Sequence, residues 1–173
     1  MIKESREKNR LLIADDSKMN REILKEILGD EYIVTEAKDG TEAIELLKKE
    51  EDSFSALLLD LNMPETNGYQ VLEWMNEEYV IERIPVIVIL AEDNHENIEK
   101  AYELGAIDYF THPFDMFEIQ KRVAGTLNLY KKYENLIMAS NQVIYVCNSD
   151  YSRILYASDG FCHKFNVERN NPY

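Results

Sequence analysis

Short apolar runs alternate along the chain with longer segments whose apolar residues fall three and four apart. The runs of strand length are Leu11-Leu12-Ile13-Ala14, Tyr32-Ile33-Val34, Ala56-Leu57-Leu58-Leu59, Val86-Ile87-Val88-Ile89-Leu90-Ala91, and Ile107 with Tyr109-Phe110. The first, third and fourth are apolar on consecutive residues, the pattern of a strand covered on both faces in a parallel sheet. Between them, Ile23, Leu24, Ile27 and Leu28 follow the capping residue Ser17 and stop at Gly29; Ala43, Ile44 and Leu47 follow Thr41; Val71, Leu72 and Met75 follow Gly68; Ile98, Ala101 and Leu104 stop at Gly105. Each predicts a helix with one buried stripe. A hairpin cannot join parallel neighbours, so this alternation predicts right-handed crossovers and an α/β fold, a doubly wound five-stranded parallel sheet.

The last helix differs from the others. From Asp115, a cap after Pro113, helix-compatible sequence runs through Met116, Ile119, Val123, Leu127, Tyr130 and Ile137 to about Ala139. At about 1.5 Å per residue it outruns a sheet of this size, so its far half is expected to project as a connector. The alternative is a helix frayed at its end. Beyond Ser140, Val143 to Cys147 and Arg153 to Ala157 flank a polar turn, as in a β-hairpin, and a short helix around Phe161 to Phe165 follows Ser158 or Asp159. A hairpin and a short helix cannot enclose a core, so they are expected to open a second domain. The organisation expected is thus 8–128 for the main domain, 129–140 for the connector and 141–173 for a partial second domain.

Composition narrows the function classes. At 173 residues, 45% hydrophobic and 30% charged, the chain reads as globular. The formal charge of −14 repels phosphate backbones, so direct binding of nucleic acid is not expected. Two cysteines make no disulfide framework, the first residues are charged, and no apolar run approaches the roughly 18 residues of a membrane span. The expected location is cytoplasmic, with no membrane insertion.

In an open parallel sheet, the loops beyond the carboxyl ends of the strands form the binding crevice. The first strand runs into Asp15-Asp16 and the third ends in Asp60. In the order 2-1-3-4-5 these two strands are neighbours, so three carboxylates face one pocket. Like charges that close require a counter-charge, and oxygen-only ligands select a hard cation such as Mg²⁺. A carboxylate beside such a metal can also attack phosphorus and form an acyl phosphate, with Asp60 the candidate nucleophile. The plain alternative is that these acids are solvated loop residues or caps.

Leu12-Ile13-Ala14-Asp15-Asp16, Leu58-Leu59-Asp60-Leu61-Asn62-Met63-Pro64 with Asn67-Gly68, Ile84-Pro85-Val86-Ile87-Val88, and Gly105-Ala106-Ile107-Asp108-Tyr109 leading to Pro113-Phe114 together resemble the receiver domain of bacterial response regulators. The resemblance spans roughly residues 8–128 and implies the flavodoxin-like order 2-1-3-4-5. It also implies that Asp60 is the phosphoacceptor, that Asp15 and Asp16 help hold Mg²⁺ with the backbone carbonyl of Asn62 as a further ligand, and that the partner is a sensor histidine kinase or phosphotransfer protein. Tyr109 matches the switch aromatic, and homodimerisation through the fourth and fifth helices is a family expectation.

Two positions depart from the family pattern. Leu90 stands where receivers carry a Ser or Thr that contacts the phosphoryl group, and His112 stands where they carry a Lys before a proline, in a bond that is cis in the family. The missing ammonium would supply a charge-assisted hydrogen bond, roughly 1.5–3 kcal/mol. Thr111 is a poor substitute, because neighbouring strand residues face opposite ways. Weak coupling between phosphorylation and Tyr109 follows. The rival reading keeps the fold without the chemistry: a pseudo-receiver for phosphorylation-independent dimerisation or docking. An aspartate-nucleophile phosphatase would resemble Asp-x-Asp, and Asn62 holds the second position, so turnover beyond slow self-dephosphorylation is not expected. The tail from Asn141 resembles the opening of a PAS sensory domain, truncated before any ligand pocket closes.

Overall fold

The computed structural model describes residues 9–50, 53–91, 94–138, 143–147 and 154–165. The chain divides into two compact units, Met1–Thr126 and Leu127–Tyr173. The first unit contains β1 (Arg10–Ala14), α1 (Lys18–Leu28), β2 (Ile33–Ala37), α2 (Gly40–Glu50), β3 (Ala56–Asp60), α3 (Gly68–Glu77), a 3₁₀ turn at Val80–Glu82, β4 (Val86–Leu90), α4 (His95–Glu103), β5 (Asp108–Thr111) and the start of α5 (Met116–Met138).

The five strands form one parallel sheet in the order β2-β1-β3-β4-β5. Every residue of β3 and β4 is buried, as continuous apolar runs require when helices cover both faces. Ala14 pairs with Leu59, and Asp60 with Ile89, which brings the carboxyl ends of the central strands level.

The edge of the sheet departs from the apolar pattern. β2 starts at Ile33 and continues through Thr35 and Glu36 to Ala37, whereas Tyr32 lies buried ahead of it. An edge strand pairs on one side only, and its polar positions hid its true length. The second helix starts at Gly40, not after Thr41, and its cap is Asp39, whose carboxylate accepts the Glu42 N–H at 2.8 Å. Ile23, placed in a buried stripe by its spacing, is exposed; Leu24, Ile27 and Leu28 already cover the inner face of α1.

α5 begins as expected, with the Asp115 carboxylate accepting the Glu118 N–H at 2.7 Å. It continues to Met138, and Leu129, Tyr133 and Leu136 on its far half are exposed. In the second unit, β6 (Tyr145–Cys147) and β7 (Ile154–Ala157) pair antiparallel, followed by α6 (Asp159–Phe165). The buried Ser158 hydroxyl accepts the N–H groups of Ile144 and Phe161, tying the hairpin to that helix. The turn expected at Ser149-Asp150 lies outside the described residues. Among the described residues, no helix is long and apolar enough to cross a membrane.

Candidate functional site

Because β1 and β3 are neighbours, the residues at their carboxyl ends converge. One carboxylate oxygen from each of Asp15, Asp16 and Asp60 lies within 4.8 Å of the others. Asp15 and Asp60 are buried, while Asp16 is open to solvent. Asp15 is held from several sides. Its N–H donates to the Ala37 carbonyl, and its carboxylate accepts the Ser17 N–H at 2.8 Å and the Asn20 carboxamide at 3.1 and 3.3 Å. Asp60 accepts the Asn62 N–H at 2.9 Å.

Burial pushes the Asp60 carboxyl up to about 6; the Asn62 N–H opposes this, Asp15 and Asp16 add to it, and His112 opposes it. Burial also raises Asp15, against the Ser17 and Asn20 hydrogen bonds. None of the ion pairs formed by lysine or arginine among the described residues reaches these three carboxylates. A set of oxygen donors with uncompensated negative charge fits a hard divalent cation, which offsets the charge where no ammonium does.

Two residues that the sequence did not single out shape the site. Arg21 Nη1 donates to the carbonyls of Asp15 at 2.7 Å and Asp16 at 3.3 Å, and its Nε pairs with Glu36 at 3.4 Å. The loop carrying both acids is thus strapped to the edge strand. Asn20, on the first turn of α1, faces back toward Asp15. The signal was Ser17 itself: a capped helix start fixes the phase that returns the residue three later to the strand ends.

His112 follows β5 in a cis bond to Pro113, its Nε2 3.5 Å from Asn20 Nδ2. Leu90 is buried in the core, with no hydroxyl to offer. Tyr109 is half-buried, its ring edge-on to Tyr102 at 6.3 Å and 5.6 Å from the Arg122 guanidinium. Asn62 and Asp16 share a cleft of about 510 Å³ with Leu61, Met63, Pro64, Asn67 and Tyr69. His95 is exposed at the start of α4, and the two cysteines are free thiols.

Residues 11–124 match the family described as the response regulator receiver domain. The chain belongs to this family. Among curated relatives, the transcriptional regulatory protein CiaR of Streptococcus pneumoniae is 33% identical over 78% of this chain and 58% of its own length. A probable cyclic di-GMP phosphodiesterase of Vibrio cholerae is 31% identical over 78% of this chain and 30% of its own length. The receiver therefore spans little more than half of the first relative and under a third of the second. In fold it is similar to the signal receiver domain of a putative LuxO repressor protein from Vibrio parahaemolyticus, with a TM-score of 0.69 and 23% identity over 75% of this chain and 97% of that one. Membership makes this a receiver of two-component systems with an acidic pocket, a class that is generally a non-enzymatic phosphoacceptor.

Proposed function

We propose that this receiver accepts a phosphoryl group on Asp60 from the phosphohistidine of a sensor histidine kinase or phosphotransfer protein, in a Mg²⁺-dependent reaction, and passes the change to a downstream module. The observation that carries the reading is the convergence of Asp15, Asp16 and Asp60 on one small volume, with Asp60 buried. An Asp60 carboxylate oxygen forms a bond to phosphorus as the P–N bond breaks. The electron pair leaves on the imidazole nitrogen, which takes up a proton from solvent. Asp15, Asp16 and Asp60 would hold the ion, with the Asn62 carbonyl as a further ligand. Mg²⁺ supplies positive charge beside the transferring group.

Asn62 N–H orients the Asp60 carboxylate for attack, and Asn62 itself brings no second acid for turnover. Tyr109 is assigned the switch aromatic and His112 the place of the family Lys. The cytoplasmic location follows from the kinase partner. The tail, with its hairpin and short helix, is assigned to the opening of a PAS-like sensor. The pseudo-receiver is the second reading, favoured by Leu90 and His112. Incubation with a small phosphodonor and Mg²⁺ separates the two: stoichiometric, acid-stable and hydroxylamine-labile label on the wild type but not on Asp60→Ala supports phosphoacceptance, and no label on either leaves the docking module.

A further inference from the structure

We propose that Asn20 is a positioning residue that cross-links the acidic pocket to His112 through its carboxamide nitrogen. The inference rests on the metal-dependent phosphoacceptor reading and adds to it a residue and a connection. Asn20 Nδ2 lies 3.1 and 3.3 Å from the two Asp15 oxygens and 3.5 Å from His112 Nε2. An ionised carboxylate only accepts hydrogen bonds, so the carboxamide must turn its nitrogen, not its oxygen, toward Asp15. That nitrogen carries two hydrogens and accepts nothing. With one hydrogen on Asp15, the second is left for a neutral His112 3.5 Å away, whose Nε2 would then present its lone pair and whose ring proton would reside on Nδ1.

The connection spans the pocket. Asp15 follows β1 and His112 follows β5, with β3 and β4 between them in the sheet. A single side chain on the first turn of α1 therefore fixes both the carboxylate orientation that a cation would meet and the tautomer of the imidazole at its rim. Outer groups that orient a metal-binding side chain commonly change metal affinity 10–100-fold when removed.

The test uses the full chain with Asn20→Leu, which keeps the branched shape and loses the donor, and Asn20→Ala; thermal unfolding in chelator confirms that each is folded. Mg²⁺ uptake is read by calorimetry and the neutral His112 ring by ¹⁵N NMR without metal. The expected result is a Kd for Mg²⁺ weakened about tenfold in both variants. Alongside it, the His112 ring nitrogens should move from the pattern of a single Nδ1–H tautomer toward that of an averaged ring. Unchanged Kd and unchanged ring signals overturn the proposal. A weakened Kd with unmoved ring signals overturns the cross-link and leaves Asn20 a partner of Asp15 alone. Absence of Mg²⁺ uptake by the wild type overturns both this inference and the function on which it rests, which distinguishes the two failures.

Discussion

Asp60 ends a strand buried along its whole length, and its carboxyl, at 3.8 without burial, sits at about 6 in the fold. Between those values the folded chain binds more protons than the unfolded one, so Asp60 makes stability rise as pH falls through this window and fall as pH rises. At neutral pH, where the group is ionised in both states, the penalty is on the order of 2–3 kcal/mol, at about 1.4 kcal/mol per pKa unit. In chelator, Asp60→Asn should therefore unfold at a higher temperature than wild type at pH 7, with the difference shrinking through the window and vanishing below about pH 3. Parallel pH profiles for the two proteins would show that Asp60 carries no such penalty. Arg21 acts in the opposite sense, since its guanidinium binds two loop carbonyls. Arg21→Met should lower stability by roughly 1–3 kcal/mol in thermal melts and weaken Mg²⁺ uptake, although the residue touches none of the three carboxylates. The acids were legible in the sequence because Asp15 and Asp60 directly follow apolar runs and Asp16 is the next residue after Asp15. Asn20 and Arg21 were not singled out: the Ser17 cap sets the phase of α1, but which strand-end groups its first turn meets is decided by packing.

At the scale of elements, all five strands could be read from the chain, the central ones with their bounds to within a residue and the edge strands only in part. β1, β3 and β4 are covered on both faces, so burial writes itself as consecutive apolar residues. β2 carries Thr35 and Glu36 because part of it meets solvent, and the long far half of α5 follows from the absence of a proline rather than from its pattern. Two elements meet at the site with little room. A Cβ placed on Gly68, the first residue of α3, falls against the Asp60 carbonyl and lies 2.7 Å from the Leu61 Cα. Because backbone rather than a flexible side chain is in the way, Gly68→Ala should push the start of α3 away from β3. The expected cost is on the order of 2 kcal/mol or more in urea unfolding, together with loss of label at Asp60. The end of β4 permits the converse experiment. Leu90→Thr removes buried apolar volume and should destabilise by roughly 1–3 kcal/mol, yet it restores a hydroxyl at the position where receivers carry one. Its labelling by a small phosphodonor should be several-fold faster than wild type. An unchanged rate would mean that the missing hydroxyl does not limit the reaction.

Over the whole chain, the question is what the second half of α5 does. Leu129, Tyr133 and Leu136 are 66%, 50% and 75% exposed, at a spacing of four and then three. That spacing is the seam of paired helices, which a second copy of the same helix would match. The seam covers barely two turns and the chain carries a charge of −14, so self-association should be weak and opposed by repulsion between copies. Screening that repulsion should strengthen it, because the apolar contact is insensitive to salt while exposed charges are damped beyond about 10 Å at 0.1 M ionic strength. The comparison that removes the seam, together with the hairpin and short helix that follow it, is the full chain against one ending at Asn128. Sedimentation equilibrium should show the full chain dimerising reversibly, more tightly at 0.5 M than at 0.05 M salt, and the shorter chain remaining a monomer at both. Both chains should take up Mg²⁺ equally, since the sheet and all three acids lie within the first unit. A monomer in every condition would remove homodimerisation through this helix, whereas loss of Mg²⁺ uptake on truncation would mean that the receiver depends on residues beyond its own sheet.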